Sequence, residues 1–198
     1  MDKRVSAPPN PRKLAHATRI AAVWSFGYGL YRLYYALGGT FGMFGIPASV
    51  TQWQRINGIA AILLFTSALL PLVMMKGWWN PRMRPALIGI CWVIAVACVS
   101  HAFIGLAQRL SSLTGMLVIS YPFWDAISTR QADLQALLFN EPWFMVEGVL
   151  WGLIAWNGAL QSSPRRSWWT GSALAAIAVS VVIGLLSSFG VIGQIIVG

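Results

Sequence analysis

Acidic residues are scarce in this chain: 5 Asp and Glu stand against 14 Lys and Arg in 198 residues, and charged residues make up only 10%. Soluble domains carry about 25% charged residues, so this composition cannot cover a water-exposed surface, and a soluble globular enzyme is excluded. Cysteine and histidine are equally sparse, two of each. Cys91 and Cys98 fall on one face of a helix roughly 10 Å apart, beyond the ~7 Å that a disulfide tolerates. Both are expected to be small packing residues, and no Cys/His spacing suits a metal. No nucleophile signature, phosphate loop or haem motif occurs either, so no cofactor is expected and no named enzyme class is supported. The absence of internal repeats argues against a transporter built from duplicated halves.

What is abundant is apolar: 57% of the residues are hydrophobic, 11 are Trp, and the mean hydropathy is +0.65. A helix crosses the hydrocarbon core with about 20 mostly apolar residues, and five segments reach that length, at about 18–38, 56–76, 85–108, 142–161 and 170–193. The expected fold is an all-α, polytopic transmembrane bundle of five spans, residues 16–198, preceded by a disordered basic tail, residues 1–15. The first span is long, aromatic and interrupted by Arg32, with no small-residue cleavage site after it, so it is expected to stay in the mature protein. Positive charge sets the direction. Lys3, Arg4, Arg12, Lys13, Arg19, Lys76, Arg82, Arg84, Arg165 and Arg166 fall on one side, against Arg55, Arg109 and Arg130 on the other. The positive-inside rule then predicts the amino end inside and the carboxyl end outside. Trp78, Trp79, Trp168 and Trp169 are predicted at headgroup level beside the inner loops.

Ionisable residues within spans are costly, about 3 kcal/mol each on insertion scales, and so point to function. Three occur: Arg32, His101 and Glu147. Helix rise places Arg32 about 21 Å and His101 about 24 Å above the cytoplasmic edge, and Glu147 about 7–8 Å below the outer one. All three therefore converge on the outer third, where they form either one polar pocket or an Arg32–Glu147 pair that sets helix register. Trp24, Tyr28, Tyr31, Arg32 and Tyr35 recur at helical spacing, and Trp143, Glu147 and Trp151 share a face. These aromatic residues are the predicted ligand-binding wall around Arg32. Glu147 and His101 are the available acid and base, with Asp125 as a second carboxylate.

The third connection, 109–141, is too long for a plain loop. Within it, Thr114 to Ser120 suits an interfacial or re-entrant piece. Leu134, Leu137 and Leu138 give 132–139 the pattern of an amphipathic helix on the outer surface, with Pro142 opening the next span. A lid carrying Asp125 or Tyr121 above the pocket is one use for it. Gly148 and Gly152 form a small-xxx-small pair, and the last span, with Ala173, Ala175, Ala176 and Gly184, reads as a packing or oligomer helix.

The run Tyr34-Tyr35-Ala36-Leu37-Gly38-Gly39-Thr40 and the later Asn140-Glu141-Pro142-Trp143-Phe144 resemble small uncharacterised multi-span integral membrane proteins of actinobacteria. The resemblance covers mainly the first and fourth spans and implies a helical bundle in the bacterial plasma membrane. It transfers no activity and no catalytic residue. The functional expectation is an outward-facing pocket for an amphiphilic, lipid-like or isoprenoid-like ligand, with Arg32 pairing the head group. Two rivals are an accessory or assembly subunit of a larger membrane complex and a proton-coupled small-molecule transporter. Membrane lipids are the expected partners, with self-association or a larger complex through the Gly/Ala faces, and no nucleic acid.

Overall fold

The computed structural model describes residues 10–160 and 163–192, so tail positions 1–9, with Lys3 and Arg4, and the span ends at 161 and 193 lie outside the described residues. The chain is mostly helical. Helix α1 (Pro11–Ala36) starts with Asn10 accepting from Lys13 N and with proline in its first turn, a sequence suited to helix initiation. Residues 11–15, expected in the disordered tail, therefore belong to the helix. A short strand β1 (Gly45–Pro47) precedes α2 (Val50–Met74), which is capped by Ser49. A 3-10 turn, Gly77–Trp79, leads to α3 (Arg84–Leu113). Strand β2 (Trp124–Ile127) is followed by α4 (Thr129–Gln135), a π turn (Ala136–Asn140), α5 (Glu141–Gly158) and α6 (Arg166–Ser188).

Three of these helical stretches are long and apolar enough to cross a membrane: Val50–Trp79, Arg84–Leu113 and Arg166–Ser188, with mean hydropathies of 2.3, 2.3 and 2.0. Their outward faces stay bare, with Leu63 65%, Leu69 62% and Leu174 68% exposed. Apolar surface on this scale is incompatible with water and suits lipid. Helices α1 and α5 are not among these three, and each carries ionisable residues within it, Arg32 on α1 and Glu141 and Glu147 on α5. They pack at the centre, α1 against α2 and α5, and α5 against α3, while α6 lies on α3.

The core is concentrated at one end of the bundle. Leu14 from α1, Met74 at the end of α2, Trp78 from the 3-10 turn, Leu87 from α3 and Leu160 after α5 join one buried cluster. The backbone N–H of Asn10 also donates to the Asn157 carbonyl. The start of α1, the end of α2, the start of α3 and the end of α5 thus meet, which gathers the basic connections at the same end. Trp78 is fully buried here, against the expectation of an interfacial position, because Gly158 leaves its ring a seat. Trp79 and Trp168 are exposed.

At the opposite end β1 and β2 pair antiparallel, Gly45 with Ile127 and Ile46 with Ala126, tying the α1–α2 connection to the one before α4. Strands of three and four residues are too short to show alternation, so this ladder was not foreseen. Thr114 to Ser120, expected as an interfacial or re-entrant piece, forms a turn and irregular chain. The predicted surface helix starts earlier, at Thr129, and runs without a break into α5. Leu138 faces outward at 77% exposure while Ala132, Asp133 and Ala136 are buried. Both cysteines are free.

Of the Gly148/Gly152 pair, only Gly148 is a close contact. A Cβ there would stand 2.6 Å from Val99 Cγ2 and 2.9 Å from the Ala95 carbonyl oxygen, whereas one at Gly152 meets nothing within 4 Å. Gly148→Val should therefore destabilise the bundle by about 1–3 kcal/mol through overpacking, and Gly152→Ala should leave it unchanged or slightly firmer. Thermal unfolding in detergent, followed by tryptophan fluorescence, reads both; equal midpoints for the two variants would contradict the packing described.

Candidate functional site

A cavity lies at the hairpin end of the bundle, between α1, α3 and the start of α5, with Trp124 of β2 and residues of α4 and the π turn in its wall. It encloses about 110 Å³ open to the centres of water molecules. That is room for several waters or one compact polar group, well below the roughly 300 Å³ of a drug-sized pocket. Tyr31, Arg32 and Tyr35 line it from α1, His101 and Arg109 from α3, and Glu141 and Phe144 from α5.

Arg32 enters from one face of α1 together with Tyr28, Tyr31 and Tyr35, the i, i+3, i+4, i+7 set of a helix. Its Nη2 donates to Tyr28 Oη at 2.9 Å and its Nη1 to Asn57 Oδ1 at 3.2 Å. Asn57 is aimed by its own Nδ2, which donates to the Trp53 carbonyl. The guanidinium carbon also stands 5.1 Å from the Tyr28 ring centre, a cation–π distance. All these partners are neutral. Among the described residues Arg32 has no acidic partner, and its Nε has no hydrogen bond.

His101 stacks its ring 4.2 Å from Phe144 and points Nε2 towards Glu141 Oε2 at 3.7 Å, too long for a hydrogen bond. Glu141 is 2% exposed. Gly105 makes this possible, since a Cβ there would collide with the Glu141 carboxyl. Beside them, Asp133 gathers three groups: Arg109 Nη1 at 3.4 Å, Tyr121 Oη at 2.8 Å and Ser112 Oγ at 2.6 Å. Arg109 also donates to Tyr121 Oη at 2.6 Å. Burial pushes the Tyr121 phenol above its ordinary range, which keeps its proton in place for the bond to Asp133.

Glu147 is elsewhere. Its Oε1 accepts from Ser25 Oγ at 2.7 Å, Trp151 Nε1 at 2.8 Å and Ser67 Oγ at 3.1 Å, joining α1, α2 and α5 away from the cavity wall. The expected meeting of Arg32, His101 and Glu147 is thus divided: the first two share the cavity and the third does not. The reason is helical phase. Six residues separate Glu141 from Glu147, about 9 Å of rise and roughly a third of a turn, so only one of them faces His101. An Arg32–Glu147 pair is likewise not formed.

The remaining expected residues also divide. Tyr31 and Tyr35 line the cavity, Tyr31 Oη accepting from Gln135 at 2.6 Å and Tyr35 Oη donating to the Phe41 carbonyl at 3.0 Å. Tyr28 is 1% exposed and supports Arg32 from behind, donating to Asn140 Oδ1 at 3.1 Å. Trp24 and Trp143 stack on each other at 4.0 Å as packing groups, and Trp151 serves Glu147. Asp125 is exposed on β2 and takes no part. Glu141 and Arg109 were passed over because, as loop charges, they counted only towards orientation; Pro142 marked the helix start that carries Glu141 inward. Trp53 and Trp124, in contact at 4.9 Å, complete the wall from α2 and β2.

Comparison of this chain with protein-family models, with curated proteins and with solved structures finds no match. The arrangement is that of a mostly helical protein with a small, partly enclosed cavity, in whose mixed polar and aromatic wall Arg32, His101, Arg109 and Glu141 meet.

Glu147 should behave as a structural pin. Glu147→Leu leaves Ser67 Oγ and Trp151 Nε1 without this acceptor and turns Ser25 Oγ back on the Ala21 carbonyl alone, so it should cost about 1–3 kcal/mol, while Glu147→Gln, which keeps an oxygen for them, should cost much less. A thermal melt of the purified variants distinguishes them, and a Leu variant as stable as the native chain would remove the pin.

Proposed function

We propose that this chain is a five-span protein of the bacterial plasma membrane, amino end inside and carboxyl end outside, whose outer cavity holds the head group of an amphiphile. Membership of the actinobacterial group it resembles is part of this reading. The gathering of the start of α1, the end of α2, the start of α3 and the end of α5 at the basic end supports the orientation. Helices α1 and α5 then cross the membrane as inner members of the bundle, where their polar groups face protein rather than lipid.

The observation that carries the functional reading is Arg32, a permanently charged guanidinium at the cavity wall whose hydrogen-bond and cation–π neighbours among the described residues are all neutral. Such a group is completed by an anionic acceptor. The small chamber takes the head alone, and exposed apolar side chains close in sequence to wall residues, Phe41 at 88% and Leu138 at 77%, are available to the tail. Acid–base chemistry, if the ligand is also transformed, belongs to His101 and Glu141. The subunit reading draws on α6, which packs on α3 alone among the long helices and turns Leu174, Val179 and Val182 outward.

Arg32→Gln tests the proposal. A long-chain carboxylate or phosphate titrated into the purified protein should quench the fluorescence of wall residues Trp53 and Trp124. The variant should bind about ten- to a hundred-fold more weakly, as loss of one charge-assisted contact predicts. Equal affinity with and without the guanidinium would end the head-group reading, and reduced protein abundance as the sole effect would favour the subunit.

A further inference from the structure

The cavity holds an acceptor as well as a donor. Glu141 is 98% withdrawn from solvent, lines the chamber, and accepts no hydrogen bond among the described residues; His101 is its nearest cation-forming neighbour, at 3.7 Å. Burying a carboxyl with no donor is costly, so a group that supplies one is stabilised there. Opposite in character, Arg32 uses Nη1 and Nη2 once each on neutral oxygens and leaves Nε without a bond. The other guanidinium in the wall is already matched, since Arg109 faces Asp133, which does not line the cavity. One guanidinium and one carboxyl in the same chamber therefore lack partners of opposite sign in hydrogen-bond contact.

From this juxtaposition we infer that the head group is a compact zwitterion, with a monoanionic group for Arg32 and a primary ammonium for Glu141. The inference rests on the head-group reading above and narrows it. A purely anionic head completes Arg32 but places its charge beside a carboxyl. A trimethylammonium head has no N–H for Glu141 and adds bulk to a chamber of about 110 Å³. A phosphodiester linked to a short primary amine meets both walls, and so does a free amino acid or free phosphoethanolamine. The chemistry is shared, and the source is decided by whether an acyl chain is needed.

The test uses the full chain purified in detergent and native mass spectrometry with three lipids of identical acyl chains: phosphatidylethanolamine, phosphatidylglycerol and phosphatidylcholine. Free phosphoethanolamine and glycine are measured in parallel by calorimetry. The ethanolamine lipid should bind at least tenfold more tightly than the other two. Glu141→Gln should abolish that preference, and Gly105→Ala, which crowds the carboxyl without removing it, should reduce it. Arg32→Gln should weaken ethanolamine and glycerol lipids alike. Arg32-dependent binding of phosphatidylglycerol equal to that of phosphatidylethanolamine would overturn the zwitterion while leaving the anionic head-group reading intact. Free phosphoethanolamine or glycine bound as tightly as the lipid would support the zwitterion and overturn the amphiphile. Lipid binding indifferent to both Arg32 and Glu141 would overturn both.

Discussion

A polar atom surrounded by hydrocarbon costs several kcal/mol unless another protein atom meets it, and that constraint organises this molecule. Its inward-facing ionisable groups sit on α1, α3, α4 and α5, and all but His101 and Glu141 draw hydrogen bonds from a neighbouring element. Glu147 on α5 is met by Ser25 of α1 and Ser67 of α2. Asp133 on α4 is met by Arg109 and Ser112 of α3. Arg32 on α1 is met by Asn57 of α2. The polar contacts therefore do what apolar packing cannot do in lipid, where one greasy face is as good as another: they specify which helices are neighbours.

The same logic separates structural charge from available charge. Glu147 collects three donors on Oε1 while its Oε2 has none, and Asp133 collects two on Oδ1 and one on Oδ2. Arg32 and Glu141 are held in place by geometry while their hydrogen-bonding capacity is only partly used, or unused. Groups of the first kind rigidify the bundle around the second kind. The cavity persists because Tyr31 is tied to Gln135 and Tyr35 to the Phe41 carbonyl, so its aromatic walls are anchored by their hydroxyls. The β-ladder closes the same end by joining two connections that would otherwise be independent.

Several features were legible in the chain before its structure. Arg32 and His101 stood out as charges where lipid forbids them, and both line the cavity. The phenols of α1 recurred at helical spacing, and Tyr31 and Tyr35 face inward as that spacing suggests. Glu147 stood out for the same reason as Arg32, yet depth along a helix says nothing about azimuth relative to a neighbour, and its partners proved to be hydroxyls and an indole. Glu141 and Arg109 were hidden by their position at helix ends, where a charge reads as a loop residue exposed to water. Asp125 and Asp133 look alike in sequence; one is exposed on β2 and the other is 1% exposed on the buried face of α4.

Composition and hydrophobic run length alone determined that this is a helical chain suited to lipid, because exposed apolar area and helix length are set by local residue type. The pattern of basic residues gave only an expectation of how its connections divide between two sides. Which polar side chains share a chamber was decided only in three dimensions, since it depends on the rotation of α1, α3 and α5 about their axes. That rotation follows from close contacts such as Gly105 beneath Glu141 and Gly148 against Val99, contacts between residues far apart in sequence that no periodicity encodes.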